Sequence, residues 1–309
     1  MTAVLLQTLP FFALIGLGYL AGRTGFFTEE ATAYLTKFVF YFALSAMIFR
    51  FAANLSFGEI FSWDFVLAYL SATTTVYVLV TLVAMLRGRG LEEAAVEAQC
   101  GVIGNVGFLG LPMLLLLLGE AAVGPIMMVL AVDLIVFGSL IVILITGRRD
   151  GRVSLGVLVS VARGLVRNPM IMSILLGLAW SGLSLPIPGP FADFLTILGA
   201  AATPGALFAI GASLASKSAE RLAVAFWLST SKLLLHPAAV AVAALLIFPV
   251  EPYAAGVMIA LAALPVAGNV FILAQHYGVA PQRASAAILV STAVSVLTFS
   301  AVIAWVSEF

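Results

Sequence analysis

The sequence predicts an all-α polytopic membrane protein with ten transmembrane helices, arranged as two inverted five-helix repeats. Three observations lead to this fold class. Hydrophobic residues make up 63% of the 309 residues and charged residues only 9%, with a mean hydropathy of +1.19, which is far from the balance of a soluble domain. Ten apolar runs are long enough to span a bilayer. Helix-breaking residues recur at corresponding places in the two halves of the chain.

The ten apolar runs each approach the roughly 20 residues that a helix needs to cross about 30 Å of hydrocarbon. The first run begins almost at Met1 without a basic segment or a cleavage site, so it is predicted to be a retained helix. We place the spans near residues 4–21, 31–53, 62–86, 93–118, 123–146, 168–183, 191–214, 221–248, 253–277 and 284–306.

The distribution of Lys and Arg predicts the orientation, because cytoplasmic loops are enriched in these residues. Arg50 falls on one side of the membrane, and Lys37 and Lys232 lie within spans. The other side receives eleven cations: Arg23, Arg87, Arg89, Arg148, Arg149, Arg152, Arg163, Arg167, Lys217, Arg221 and Arg283. That side is predicted to be cytoplasmic, which puts both termini outside the cytoplasm in a multi-pass protein of the inner (cell) membrane.

Five spans per half is an odd number, so the second half enters the membrane in the opposite orientation to the first, as an inverted-topology repeat. The predicted domains are a first five-helix repeat at 1–146, a basic cytoplasmic linker at 147–167 and a second repeat at 168–309. The linker has five arginines and an amphipathic middle, which is typical of a segment that lies on anionic lipid.

The fourth and ninth spans are each predicted to break inside the membrane. The stretch CGVIGNVGFLGLP places Gly104 and Gly107 among glycines at every third residue before Pro112, and glycine and proline both disfavour helix. In the ninth span Pro265 interrupts the helix near mid-membrane, just before a second GNV tripeptide. Close helix packing through small residues is the alternative explanation for the glycines.

Two crossing breaks would bring the N-termini of two half-helices into one small volume. Each N-terminus offers free N–H groups and about half a positive charge, so this volume suits an anion. The side-chain amides of Asn105 and Asn269, with Gly268 beside the latter, could hold a carboxylate there without an arginine. The alternative for each Asn is a hydrogen bond between helices.

Ionisable residues inside membrane spans are candidates for function. Lys232 and His236 are one turn apart in the eighth span, and Asp133 lies in the fifth. Lys232 could bind an anionic substrate, pair with Asp133 as a proton-linked switch, or extend to the cytoplasmic interface. Glu97 is expected near a hydrated span end. Enzyme signatures, paired Cys and metal-binding His pairs are missing, so no enzyme activity, cofactor, metal or nucleic-acid partner is expected.

At GNVGFLGLP, at ALPVAGNVFILAQHYG and at TPGALFAIGASLA (Thr203 to Ala215) the chain resembles the auxin efflux carrier family. This family includes bacterial malonate and malate permeases and the plant PIN-formed auxin exporters, and the resemblance extends over essentially the whole chain. It implies a scaffold domain and a transport domain with crossing fourth and ninth spans, an elevator-like mechanism, and often a homodimer. It also implies that small carboxylates are the substrates.

Carried over residue by residue, the crossover falls on Gly104 to Pro112 and on Pro265 to Asn269, with Asn105 as the substrate-facing amide. Gly104 stands where plant relatives often have proline, and the second span has Ser45 in a segment that often contains proline. The long cytoplasmic loop of many plant exporters is replaced by the short arginine linker. A bacterial carboxylate is therefore expected rather than auxin. A sodium-coupled symporter of the bile acid type and a non-transporting membrane receptor are the competing hypotheses.

Overall fold

The computed structural model describes residues 2–55, 61–149, 155–217 and 222–308, and every regular element in these ranges is a helix. We number them in chain order as α1 (Thr2–Arg23), α2 (Glu29–Ala52), α3 (Trp63–Leu86), α4 (Leu91–Val102), α5 (Val106–Leu118), α6 (Glu120–Arg149), α7 (Leu155–Arg167), α8 (Pro169–Gly182), α9 (Gly189–Leu214), α10 (Leu222–Ile247), α11 (Pro252–Ala262), α12 (Gly268–Tyr277) and α13 (Pro281–Val306).

Each predicted span coincides, within a few residues, with a helix or with a pair of shorter helices. The fourth span is α4 followed by α5, and the ninth is α11 followed by α12. In the described ranges six helices are long and apolar enough to cross a membrane, namely α2, α3, α6, α9, α10 and α13, and the bent pair α7 and α8 would be a seventh. The all-helical membrane class predicted from composition is thereby confirmed.

Several helices begin where the sequence supplies a side-chain cap. The hydroxyls of Thr28 and Ser62 accept hydrogen bonds from the first turns of α2 and α3. Asn168 does the same for α8, where Pro169 occupies the first helical position, which needs no N–H. At the other end, α12 stops at Gly278, whose φ of 65° is the left-handed conformation that glycine adopts without strain.

The helices pack as two groups. The four-helix unit comprises α1, α2, α8 and α9, in which α9 packs along α1 and α2, and α8 packs on α2. The crossover unit comprises α3 to α6 and α10 to α13, with α3 against α4 and α10, and α13 against α10, α11 and α12. Contacts between the two units are fewer and involve mainly α1 with α13 and α9 with α5.

Glycines allow the close packing inside the four-helix unit. A Cβ on Gly211 of α9 or on Gly18 of α1 would lie under 3.0 Å from a backbone carbonyl oxygen of the facing helix. Gly177 of α8 is similarly pressed against Ala52 and the carbonyl of Phe49 on α2. Backbone-to-backbone contact of this kind is how membrane helices associate when lipid removes the hydrophobic driving force.

The basic linker is partly described. Helix α6 continues to Arg149, and α7 forms the amphipathic segment before a bend of 67° into α8. Residues 150–154 of the predicted linker lie outside the described residues.

Ion pairs join the ends of several crossover-unit helices. Arg283 at the start of α13 contacts Glu97 at 2.8 Å and Glu93 at 2.9 Å, and Arg87 also pairs with Glu97. Glu97 is fully buried, so the expectation that it is hydrated at a span end is wrong. Burial is tolerated because two guanidinium groups neutralise the carboxylate. Arg149 adds a link from α6 to Glu92 and to the carbonyl of Tyr277.

Candidate functional site

The two helix breaks cross and hydrogen-bond to each other. The backbone N–H of Asn105 donates to the carbonyl of Pro265 at 2.9 Å, and the N–H of Ala267 donates to the carbonyl of Ile103 at 3.0 Å. Gly104 and Val266 form the antiparallel bridge between these bonds. Unwound backbone inside a membrane must find protein partners, and here each break supplies them to the other.

The first break is short. Asn105 has φ −78° and ψ 58°, and the N–H of Val106 donates to the carbonyl of Gly104 at 2.8 Å, which makes an inverse γ-turn. Helix α5 then starts as a wide π-turn, in which the carbonyl of Asn105 accepts from both Leu109 and Gly110.

The sequence-based crossover of Gly104 to Pro112 is therefore longer than the break, because helix resumes at Val106. Pro112, six residues on, is accommodated inside α5. The wide turn before it shifts the hydrogen-bond register, as the bond from the Leu111 N–H to the carbonyl of Val106 shows.

The side chain of Asn105 lies at the crossing with no hydrogen-bond partner among the described residues, although it is only 9% exposed. Asn269 and Gly268 are exposed in the first turn of α12. The N–H groups of Gly107 and Phe108 in α5 likewise have no acceptor in the described ranges, nor do those of Gly268 and Asn269. Both half-helix N-termini thus keep donors free beside an unpaired amide.

The opposite ends of the broken helices are occupied by side chains of α10. Ser231 donates to the carbonyl of Gly101 at 3.4 Å near the end of α4, and the Nζ of Lys232 donates to the carbonyl of Ala262 at the end of α11. These contacts compensate the partial negative charge of the two C-termini. The positive N-terminal ends are left to dominate the electrostatics of the crossing, which favours an anion.

The four-helix unit covers the first break with apolar side chains. Met170 of α8 lies directly over Gly107, and any Cβ at position 107 would collide with its terminal methyl group. The ring of Phe40 on α2 stacks on that of Phe108 on α5, with centroids 6.0 Å apart and planes inclined by 8°. The free donors of α5 therefore lie next to the seam between the two units.

Behind the crossing lies a cluster of buried polar side chains, which we call the polar cluster: Tyr69, Thr73, Asp133, Lys232 and His236. Lys232 Nζ is 3.2 Å from His236 Nδ1, and His236 Nε2 is 3.0 Å from the hydroxyl of Thr73. The hydroxyl of Tyr69 donates to Asp133 Oδ1 at 2.8 Å. Asp133 and Lys232 each lie in a π-turn, a distortion that is frequent at functional sites.

The structure thus brings together many of the residues selected from sequence. Gly104, Asn105 and Pro265 meet directly, and Lys232 meets His236. Lys232 is fully buried and does not extend to the cytoplasmic interface. Ser45 makes no hydrogen bond to the crossing among the described residues; its hydroxyl donates at 3.1 Å to the carbonyl of Phe40, which lies in a π-turn of α2.

Sequence reasoning missed Tyr69, Thr73, Ser231 and Met170. A hydroxyl in an apolar span is too common to stand out, and Met170 reads as an ordinary core residue. Within the described residues no group of His, Cys, Asp and Glu side chains is arranged to hold a metal ion.

The chain matches known proteins over a range of residues that includes both helix breaks. A family model described as "Membrane transport protein" matches residues 3–303. Over 293 residues the chain is 33% identical to a protein of Rhizobium meliloti (strain 1021) named "Putative malonate transporter". The alignment takes in 94% of this chain and 92% of that protein.

Proposed function

The chain belongs to the auxin efflux carrier family of membrane transport proteins, and from this premise we propose that it is a secondary transporter of small organic anions. Carboxylates such as malonate or malate are the proposed substrates. The observation that carries the proposal is the unpaired amide of Asn105 beside two half-helix N-termini with free N–H groups. The name of the Rhizobium meliloti relative agrees with this substrate class.

The proposed topology is ten transmembrane spans in two inverted five-helix repeats, with both termini outside the cytoplasm of the inner membrane. It is supported by the matching positions of the two breaks, α4 with α5 and α11 with α12. Support for the orientation comes from Arg87, Arg149 and Arg283, which join one ion-paired end of the crossover unit.

In the proposed binding mode, a carboxylate at the crossing accepts hydrogen bonds from the side-chain amide of Asn105 and from free backbone N–H groups. Gly107 and Phe108 would supply these from α5, and Gly268 and Asn269 from α12. No arginine is required, because backbone dipoles and charge-assisted hydrogen bonds stabilise the anion. Gly104, Pro112 and Pro265 act indirectly, by keeping the two backbones in position.

The proposed mechanism is an elevator-like alternating access, in which the crossover unit moves against the four-helix unit. The seam supports this, because it is made of few contacts and includes side chains that can separate without breaking ion pairs, such as Phe40 with Phe108. Asn105 and the free donors would move with the crossover unit and face alternate sides. We extend the proposal to a homodimer in a lipid bilayer, which cross-linking in native membranes would test.

The test is uptake of radiolabelled malonate by proteoliposomes that contain the purified protein, with malate, lactate and indole-3-acetate as competitors. Wild-type protein is expected to show saturable uptake and exchange. Asn105→Ala is expected to lower uptake about tenfold or more, since a hydrogen bond to a charged group contributes about 1.5–3 kcal/mol. Asn54→Ala is the control, because Asn54 is exposed just beyond the end of α2 and its side chain donates to the carbonyl of Arg50.

Unchanged uptake by Asn105→Ala would show that the binding site is elsewhere. Uptake that requires an inward sodium gradient would favour a symporter of the bile acid type. Binding of malonate without uptake or exchange under any gradient would favour a receptor.

A further inference from the structure

The polar cluster contains buried ionisable side chains to which the proposed function assigns no role. All five members are at most 4% exposed, and they lie in the crossover unit on α3, α6 and α10. Three members are ionisable: Asp133, Lys232 and His236. Buried ionisable groups inside a membrane span are costly, which makes a cluster of them a candidate for function.

Asp133 is only half satisfied. Its Oδ1 accepts a hydrogen bond from Tyr69, whereas its Oδ2 is buried and has no partner in the described ranges. A carboxylate can accept bonds at about four positions, so an oxygen with none is unusual. No Lys or Arg nitrogen of the described residues lies within 4.0 Å of the Asp133 carboxylate, so a proton can add to Oδ2 without breaking an ion pair.

Lys232 connects this cluster to the anion site. Its Nζ contacts the carbonyl of Ala262 at the crossing, and its side chain packs against Gly104, where a Cβ would lie 3.2 Å from Lys232 Cε. The positive charge of Lys232 interacts electrostatically with the Asp133 carboxylate and would also attract a substrate carboxylate at the crossing. In a medium of low dielectric constant such charges interact strongly even without direct contact.

We propose that Asp133 is the proton-binding site of the transporter and that its proton travels with the substrate; this deepens the proposed function and rests on it. A proton on Oδ2 removes the negative charge that competes for Lys232, so the substrate anion binds more tightly. By thermodynamic linkage the bound anion favours the proton equally. All members of the cluster belong to the crossover unit, so proton and anion move together and are released on the other side.

Other ionisable groups near α6 have partners or lie at its ends. Glu97 on α4 is neutralised by Arg87 and Arg283. The hydroxyl of Tyr77 on α3 donates to the carbonyl of Ala95, and that of Tyr253 on α11 donates to the carbonyl of Leu118. Asp64 is exposed in the first turn of α3, and Glu92 and Glu93 on α4 pair with Arg149 and Arg283. The remaining such groups on helices packed against α6 are Cys100 on α4, which is buried, and Arg163 and Arg167 on α7, which packs on the C-terminal half of α6.

The experiment compares two activities of the same proteoliposomes, with the membrane voltage held at zero. The first is malonate exchange at equal pH on both sides, and the second is net malonate accumulation driven by a pH gradient, acidic outside. If one proton is carried with each malonate, a gradient of about one pH unit predicts about tenfold accumulation. The reason is that one pH unit and a tenfold concentration ratio both correspond to about 1.4 kcal/mol. Wild-type protein is expected to show both activities.

Asp133→Asn is expected to keep exchange and to lose accumulation, because an amide resembles the protonated carboxyl group and cannot release a proton. Tyr69→Phe, which removes only the hydroxyl bonded to Asp133, should reduce the accumulation ratio less severely and serves as a second variant if Asp133→Asn does not fold. Tyr77→Phe is the matched control, since Tyr77 is a buried tyrosine of the same helix outside the cluster. It should accumulate malonate like the wild type.

Wild-type exchange without pH-driven accumulation would overturn the coupling proposal and leave the carboxylate transporter intact. Accumulation by Asp133→Asn equal to that of the wild type would also overturn it. Absence of malonate exchange by the wild type would contradict the proposed function itself, and the coupling proposal with it.

Discussion

Lys232 replaces a hydrogen-bond donor that the second helix break removes. The carbonyl of Ala262, the last residue of α11, would in a continuous helix accept from the N–H of Val266, four residues on. Val266 instead donates to Ser291 Oγ at 3.1 Å, and the Nζ of Lys232 donates to Ala262. A buried side chain on one helix thus stabilises the end of another, which a positive charge favours at a C-terminus.

The first prediction follows from this contact. Lys232→Met keeps most of the side-chain volume and leaves the buried carbonyl of Ala262 without its donor, which is expected to cost about 1–3 kcal/mol of unfolding free energy. Thermal unfolding of the detergent-solubilised protein measures the loss. Lys37→Met is the matched control, because Lys37 is exposed and only lies over the ring of Tyr34. Equal unfolding temperatures for the two variants would contradict the capping role.

The second prediction concerns the close contact of α1 with α9. Gly211→Ala would place a Cβ against the backbone carbonyl of Ile15, which cannot move without shifting a whole helix. Overpacking of this kind is expected to destabilise the protein by about 1–3 kcal/mol. Gly16→Ala, on the same face-to-face helix pair, adds its methyl group to open space and should leave the unfolding temperature unchanged or raise it slightly.

A result in which both glycine variants unfold like the wild type would mean that the two helices are farther apart than described. Thermal unfolding monitored by tryptophan fluorescence in the same detergent allows the direct comparison.

The third prediction separates a buried ion pair from an exposed one. Arg283 is 7% exposed and contacts both Glu93 and Glu97, so Arg283→Met leaves the fully buried Glu97 with Arg87 alone. Removing one partner of a buried pair is expected to cost roughly 3 kcal/mol. Arg89→Met removes only an exposed contact of 4.0 Å to Glu93 and is expected to cost less than about 1 kcal/mol. Chemical denaturation of both variants in mixed micelles tests this difference in free energy.

Local sequence features were sufficient to predict the helices and both breaks. Runs of apolar residues predicted the spans, and the Gly and Pro pattern predicted that the fourth and ninth spans would be interrupted near Asn105 and Pro265. The motifs around these residues also gave the family, which the family model and the relative confirm. Local features suffice for this because helix propensity and hydrophobicity are properties of each residue, summed over a short stretch of sequence.

The partners of the breaks could not be predicted, because they depend on packing between distant parts of the chain. Ser231 and Ser291 bind backbone groups 130 and 25 residues away, and neither differs in sequence from many other serines in apolar spans. Glu97 was misjudged for the same reason, since Arg283 lies 186 residues further along the chain. The exact end of the first break was also missed, because a π-turn allows helix to resume before Pro112.

The fourth prediction tests whether the two units move against each other. The hydroxyl oxygens of Thr8 on α1 and Ser300 on α13 are 2.9 Å apart across the seam, so cysteines at both positions are close enough to form a disulfide. The native Cys100 is fully buried and should not interfere. Because an elevator must slide one unit past the other, oxidation of the Thr8→Cys, Ser300→Cys double variant is expected to stop malonate exchange, and reduction is expected to restore it.

Each single variant, oxidised in parallel, controls for damage by the oxidant. If the fully cross-linked protein exchanged malonate at the rate of its reduced form, transport would not need movement at this seam, and the elevator mechanism would have to be replaced by one confined to the crossover unit.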